Sequence, residues 1–233
     1  MTAEDEKKLA GEAAVSLVKD GMVVGLGTGS TVRYFIEGVA RKVAKGLKVT
    51  GIPTSMQTEK IAKKAGIKTA TLQEHIELDL GVDGADEVDP KLNLIKGMGG
   101  ALFREKIVAR AAKHFIVVVD SSKLVSLLGE KTPVPVEVHI FGWKATMEWL
   151  RSMGCTPSLR KSGQNPYLTD NGNFIIDCRF ESIGDPAGLE SDLNNIPGVV
   201  ENGIFTGIVS QLIVAKGRSV ERIMGVKRDS SAS

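Results

Sequence analysis

The sequence predicts an α/β protein: a mostly parallel sheet with helices on both faces, joined to a smaller α+β domain. Three observations carry this. Short apolar runs of buried-strand type alternate with amphipathic helical stretches as far as Val119. Glycine turns stand where those strands pass into helices. After Gly129 the order changes to strand, helix, strand, strand, helix, strand. The first pattern is that of a Rossmann-like sheet, and the last that of a ferredoxin-like unit.

Taken in order, Glu4 to Val18 reads as a helix with Leu9, Ala13 and Leu17 on one face, stopped by Gly21. Met22 to Leu26 is a strand, followed by Gly27-Thr28-Gly29-Ser30-Thr31 and a helix to about Lys45. Leu47 to Ile52 repeats the strand, and a helix follows to Ala65. Leu78 to Val82 is a third strand, ending in Asp83-Gly84-Ala85-Asp86-Glu87. Leu92 to Ile95 is short and apolar; Lys96-Gly97-Met98-Gly99-Gly100 and a helix to about Lys113 come next. Phe115 to Val119 is the clearest buried strand.

Thr132-Pro133-Val134-Pro135 reads as a linker into strand Val136 to Ile140. The small domain then runs through helix Gly142 to Met153, strands Thr156 to Arg160 and Asn173 to Phe180, helix Pro186 to Asn195 and strand Gly198 to Glu201. Asp170-Asn171-Gly172-Asn173 is a turn signal inside it. Gln211 to Ala215 is apolar again and is expected to rejoin the first sheet, with a frayed tail over Asp229 to Ser233. The expected division is a catalytic domain over 1–130, an inserted domain over 131–203, and a return over 204–233.

Composition excludes several classes. Thirty basic against 28 acidic residues, net +2, leave no electrostatic footprint for nucleic acid. No apolar run approaches the ~20 residues of a membrane span, and the charged N-terminus has no signal-peptide core. A cytoplasmic protein is expected. Cys155 and Cys178 lack metal-ligand spacing, and Cys178 alternates with apolar residues as a buried thiol does.

The chemistry-bearing residues sit at strand ends. Glycines in Gly27–Thr31 let the backbone approach a ligand, and free N–H groups at a helix start attract anions; a tight turn with an ordinary cap is the plainer alternative. A P-loop is excluded by the missing Gly-Lys-Ser/Thr. A dinucleotide loop is disfavoured because Ser30 stands at the third glycine position and residues 50–55 carry no carboxylate. Asp83 and Asp86 follow a strand into the region where α/β sheets bind ligands; a metal or a self-bonded turn would use the same residues. Lys96 can face a developing oxyanion or lie on the surface. Glu105 shares a helix face with Ala101, Val108 and Ala112, so a carboxylate points inward there. It is either ion-paired, with Arg104, Lys106 or Lys123, or placed to take a proton α to a carbonyl. Lys123, after Asp120-Ser121-Ser122, and Lys7 are candidates for a phosphate, although Lys7 also suits a solvated helix face.

These stretches resemble type A ribose-5-phosphate isomerase, together with Pro133-Val134-Pro135-Val136-Glu137-Val138, Thr169-Asp170-Asn171-Gly172-Asn173 and Ile196-Pro197-Gly198-Val199-Val200. The likeness covers nearly the whole chain. One departure is Met98, where many members have glycine; it reshapes the loop rim without altering the proton chemistry. The resemblance implies interconversion of ribose 5-phosphate and ribulose 5-phosphate through a cis-enediolate, with no metal or cofactor. It implies Glu105 as the base between C2 and C1, Asp83 and Asp86 handling hydroxyl protons and ring opening, and Lys96 on the enediolate oxygen. Substrate contacts are implied for Thr28, Gly29, Ser30, Thr31, Gly84, Ala85, Gly97, Met98, Gly99 and Lys123, with Lys7 at the phosphate. A homodimer or homotetramer is expected, with no nucleic-acid or membrane partner.

Overall fold

The computed structural model describes residues 2–225. Its elements are α1 (Ala3–Ala14), β1 (Val23–Leu26), α2 (Ser30–Val43), β2 (Thr50–Pro53), α3 (Met56–Lys64), β3 (Lys68–Thr69), β4 (Leu80–Asp83), β5 (Glu87–Val88), β6 (Leu94–Ile95), α4 (Leu102–Ala111) and β7 (Phe115–Asp120). They continue with β8 (Val134–Val138), α5 (Trp143–Ser152), β9 (Thr156–Leu159), β10 (Lys161–Ser162), β11 (Asn165–Pro166), β12 (Phe174–Arg179), α6 (Pro186–Asn194), β13 (Val199–Asn202), β14 (Ile204–Phe205), β15 (Gln211–Lys216) and β16 (Ser219–Met224). The described residues form two compact units, one of residues 2–84, 104–123 and 207–225, the other of 85–103 and 124–206.

The first unit is a seven-stranded sheet in the order β16-β15-β7-β4-β1-β2-β3. Every pair is parallel except the edge pair β15–β16. Alternation along the strands decides what each face buries. Val24, Leu26, Leu80, Val82, Ile116, Val118 and Ile213 pack with Ala10 and Ala14 of α1 and Val32, Phe35, Ile36 and Val39 of α2. Ile52 packs with Val108 and Ala112 from the α4 side. Helices thus cover both faces, as the sequence pattern requires. Full burial of a side chain such as Phe35 contributes roughly 2–3 kcal/mol.

The second unit holds a four-stranded antiparallel sheet, β13-β8-β12-β9, which is the ferredoxin-like order. One face, with Val134, Val136, Val138, Ile176 and Cys178, packs with Leu150 of α5 and Leu193 of α6. Both cysteines are buried thiols. A separate three-stranded sheet, β14-β6-β5, is antiparallel throughout.

Several expectations need correcting. Leu92 to Ile95 belongs to this three-stranded sheet, where Leu94 and Ile95 pair with Phe205 and Ile204. Residues 85–103 therefore pack with the second unit, so the chain crosses between units four times, where the sequence reading had two crossings. Residues 124–130 and 204–206 go the same way. The supposed linker at Val134-Pro135 is already strand; proline is accommodated because the ladder to β13 stops at Asn202–Val136, and the Pro135 carbonyl still accepts from the Gly203 N–H (2.8 Å). β16 was not anticipated, and the expected tail, Asp229 to Ser233, lies outside the described residues.

Candidate active site

In the first unit the sheet places two loops side by side because β1 and β4 are neighbours. Gly27 N–H donates to the Val82 carbonyl (2.9 Å), which carries the ladder one residue past β1. Asp83, only 2% exposed, turns its carboxylate over the loop: Oδ1 accepts from the N–H groups of Thr28 (3.1 Å) and Gly84 (2.7 Å). Only glycine fits at position 27, since a Cβ there would overlap the Asp83 carboxyl carbon. The Thr28 hydroxyl meets those of Thr54 (2.8 Å), Ser55 (2.9 Å) and Thr58 (3.1 Å), and Thr58 donates to the Gly27 carbonyl (2.9 Å). These four residues lock the loop from below. α2 then starts at Gly29, a cap residue with no side chain to bond the first helical N–H groups. Ser30 at its start is exposed and Thr31 is buried. A helix start of this kind is an anion site in waiting.

Glu105 lies on α4 and is 3% exposed; Ala101, Val108 and Ala112 are buried as well. The inward face read from the spacing is the face observed. Lys123 closes a 3-10 turn, Ser121–Lys123, after β7 and is half-buried. Lys7 pairs with Glu4 at 3.4 Å near the surface, an arrangement worth little to stability. The sequence reading missed Glu6. Its carboxylate accepts from the Ser121 N–H (3.1 Å) and hydroxyl (2.8 Å) and from the Gly217 N–H (2.7 Å), tying the helix of Lys7 to the turn of Lys123. The Gly217 N–H, then the Ser121 hydroxyl and N–H, hold the Glu6 carboxyl below the usual range despite the opposing cost of burial.

The second unit carries Asp86 and the Lys96–Gly100 loop. Asp86 N–H donates to the Ile95 carbonyl (2.8 Å), and Asp86 Oδ2 accepts from the Met98 N–H (3.0 Å). Lys96 is 2% exposed; its backbone N–H is held by the Gly203 carbonyl (2.9 Å), and its ammonium lies 5.7 Å from the centre of the Phe205 ring, a cation–π distance. Gly97 and Gly100 both adopt positive φ, and a Cβ on Gly100 would overlap the Tyr167 hydroxyl. Met98 contributes its backbone to the loop while its side chain is exposed. Arg160 and Tyr167 reach this loop from the sheet, and neither was singled out from sequence. The acidic loop also ends differently from the sequence reading: Glu87 is strand, fully buried, and its carboxylate accepts from the N–H groups of Gly129 (2.7 Å), Lys131 (2.7 Å) and Thr132.

In the first unit, a strand-end carboxylate beside an uncapped helix start, with a second carboxylate buried on a helix of the same unit, is equipment suited to proton transfer on a small anion. Comparison with known proteins makes the class specific. The family model of Ribose 5-phosphate isomerase A (phosphoriboisomerase A) matches residues 50–219. The chain is 50% identical over 216 residues to a Ribose-5-phosphate isomerase A from Gloeobacter violaceus, covering 92% of this chain and 94% of that protein. It is 48% identical over 227 residues to one from Thermococcus kodakarensis, covering 96% and 99%. Among solved structures, a D-ribose-5-phosphate isomerase in complex with phospho-erythronic acid superposes with a TM-score of 0.93 at 46% identity, covering 96% of this chain and 100% of that one. The enzyme from Methanocaldococcus jannaschii gives 0.91 at 44%, covering 96% and 100%. The chain belongs to the ribose 5-phosphate isomerase A family, whose members interconvert ribose 5-phosphate and ribulose 5-phosphate in the pentose phosphate pathway.

Proposed function

We propose that this chain isomerises ribose 5-phosphate by carbon-to-carbon proton transfer, with Glu105 as the base and a cis-enediolate between substrate and product. Asp83 and Asp86 move the hydroxyl protons, including the one released on ring opening. Lys96 places its charge beside the enediolate oxygen. The Thr28–Thr31 loop, residues 84–85 and 97–99, and Lys123 bind the sugar phosphate, with Lys7 at the phosphate. The reaction moves protons only, so no electron acceptor enters it.

The observation that carries this reading is Glu105: a carboxylate 3% exposed on an apolar helix face. Such a group suits abstraction from carbon, because little water has to be displaced from it when substrate binds. The relative solved with phospho-erythronic acid supports the enediolate, since the carboxylate of a sugar acid has the planar two-oxygen shape of that intermediate. A homo-oligomer belongs to the same proposal, supported by Phe141 standing 86% exposed in the second unit with Ile140 and Trp149 also exposed; light scattering tests it. So does a cytoplasmic location, supported by two unbridged thiols; localising a tagged chain tests it. Among the described residues no helix is long and apolar enough to cross a membrane.

The test is a coupled assay of ribulose 5-phosphate formation from ribose 5-phosphate, run with and without chelator. Turnover insensitive to chelation is expected. Absence of turnover removes the function, and turnover lost on chelation removes the metal-free mechanism.

A further inference from the structure

Arg160 stands where β9 gives way to the β10–β11 hairpin, and Tyr167 stands where that hairpin ends; the Tyr167 N–H donates to the Arg160 carbonyl (2.9 Å) and closes the excursion. The Arg160 backbone is itself fixed to β12 through the Ile175 carbonyl (2.8 Å). Its guanidinium is divided between two tasks. Nε and Nη2 grip the two oxygens of Asp177 on β12, with Nε to Oδ2 at 3.0 Å. Nη1 donates to two consecutive carbonyls of the glycine loop, Gly97 (2.8 Å) and Met98 (3.1 Å). The pair is well shielded, with side chains 11% and 16% exposed.

This geometry has a direction. Asp177 orients the guanidinium, the guanidinium fixes two peptide planes, and the second of those residues, Met98, offers its N–H to Asp86. Gly97 has φ +103° and Gly100 φ +79°, so the loop backbone is glycine-permissive and has little stiffness of its own. A planar fork with five donors satisfies both carbonyls and both carboxylate oxygens at once; an ammonium cannot. We propose that Arg160 is a positioning residue, with Asp177 as its support: it sets the conformation of the Gly97–Gly100 loop and through it the placement of Asp86 and Lys96. The catalytic consequence rests on the isomerase reading above; the loop conformation does not.

Two measurements separate these. The first is amide hydrogen exchange of the 97–100 segment in the wild type, in Arg160→Lys and in Asp177→Asn. Lysine keeps the charge and most of the stem, and asparagine keeps the shape, so both substitutions favour a folded protein. Exchange about 10-fold faster or more, confined to this loop and its immediate partners, is expected in both variants. The second is steady-state kinetics on ribose 5-phosphate. A kcat lowered about 10-fold or more with KM changed less than about 3-fold is expected, as for a displaced catalytic group. The double variant is expected to be no slower than Arg160→Lys alone, because both act through one clamp. Unchanged exchange overturns the clamp. Faster exchange with unchanged kcat overturns the link to catalysis. An inactive wild type with faster exchange in the variants removes the isomerase reading and leaves the clamp standing.

Discussion

Both glycine-rich loops follow a strand and both carry residues of the proposed site, yet they are held by different means. The Gly27–Thr31 loop is held from close by in the same sheet. Its N–H groups bond the neighbouring strand and Asp83, and four clustered hydroxyl side chains bond beneath it. The Lys96–Gly100 loop is held by a guanidinium that comes from outside its own three-stranded sheet. A loop opening a parallel strand–helix unit inherits its geometry from the sheet. A loop leaving a two-residue strand has no such frame, and the support has to be brought to it.

If the first loop depends on close approach, the largest effect is expected from Gly27→Ala. Its Cβ overlaps the Asp83 carboxyl, so we expect a loss of about 2 kcal/mol in stability and a rate lowered about 10²-fold, read by urea unfolding and by the isomerase assay. An unchanged rate would mean that Asp83 does not need its observed position. Thr28→Val breaks the hydroxyl cluster and leaves buried Thr54, Ser55 and Thr58 with one partner fewer. About 1–2 kcal/mol is expected, with KM for the sugar phosphate rising more than kcat falls.

Distant support also occurs in the first unit, and pH makes it visible. The Glu6 carboxyl titrates below its ordinary value because the Gly217 and Ser121 donors favour the anion. A depressed folded-state value contributes stability above the unfolded value, about 4.3, and that contribution disappears as pH falls through the folded value. The difference in urea midpoint between wild type and Glu6→Gln is therefore expected to be larger at pH 7 than at pH 3; an equal difference at both would deny the charged contact. The smallest effect is expected at Tyr167→Phe. The Tyr167 hydroxyl lies 3.5 Å from the Gly99 carbonyl, too long for a strong bond, so stability within about 0.5 kcal/mol of wild type is expected. Amide exchange of the 97–100 segment as fast as that expected for Arg160→Lys would shift the role of loop support from the guanidinium to the ring.

How much of this was legible in the sequence follows the same division. Strand–glycine–helix units announce themselves locally, so the parallel sheet, the Gly27–Thr31 loop, Asp83 at a strand end and the inward face of Glu105 were all readable from spacing. The strand order of the small domain followed from its element order. The three-stranded sheet was not readable, because β5, β6 and β14 are two residues each and show no periodicity. Pro135 hid the first half of β8 by resembling a linker. Arg160, Asp177 and Glu6 were invisible for a different reason: each looks like an ordinary surface charge until the fold sets it against a partner that local spacing does not bring near. The one cue, an Arg just past the end of β9 and an Asp inside β12, needs the β9–β12 register, in which Asp177 faces Ser158, before it means anything.

The central claim is that Glu105 carries the proton between carbons, and its most direct test is solvent exchange. Ribose 5-phosphate is incubated in D2O with wild type or with Glu105→Gln, and deuterium at C1 and C2 of the sugars is followed by NMR, with binding of a non-reacting sugar-acid phosphate checked in parallel. Wild type is expected to incorporate deuterium, and Glu105→Gln to bind the acid phosphate while incorporating it about 10²-fold more slowly or worse. Undiminished incorporation by Glu105→Gln would contradict the account and transfer the role of carbon base to Asp83 or Asp86.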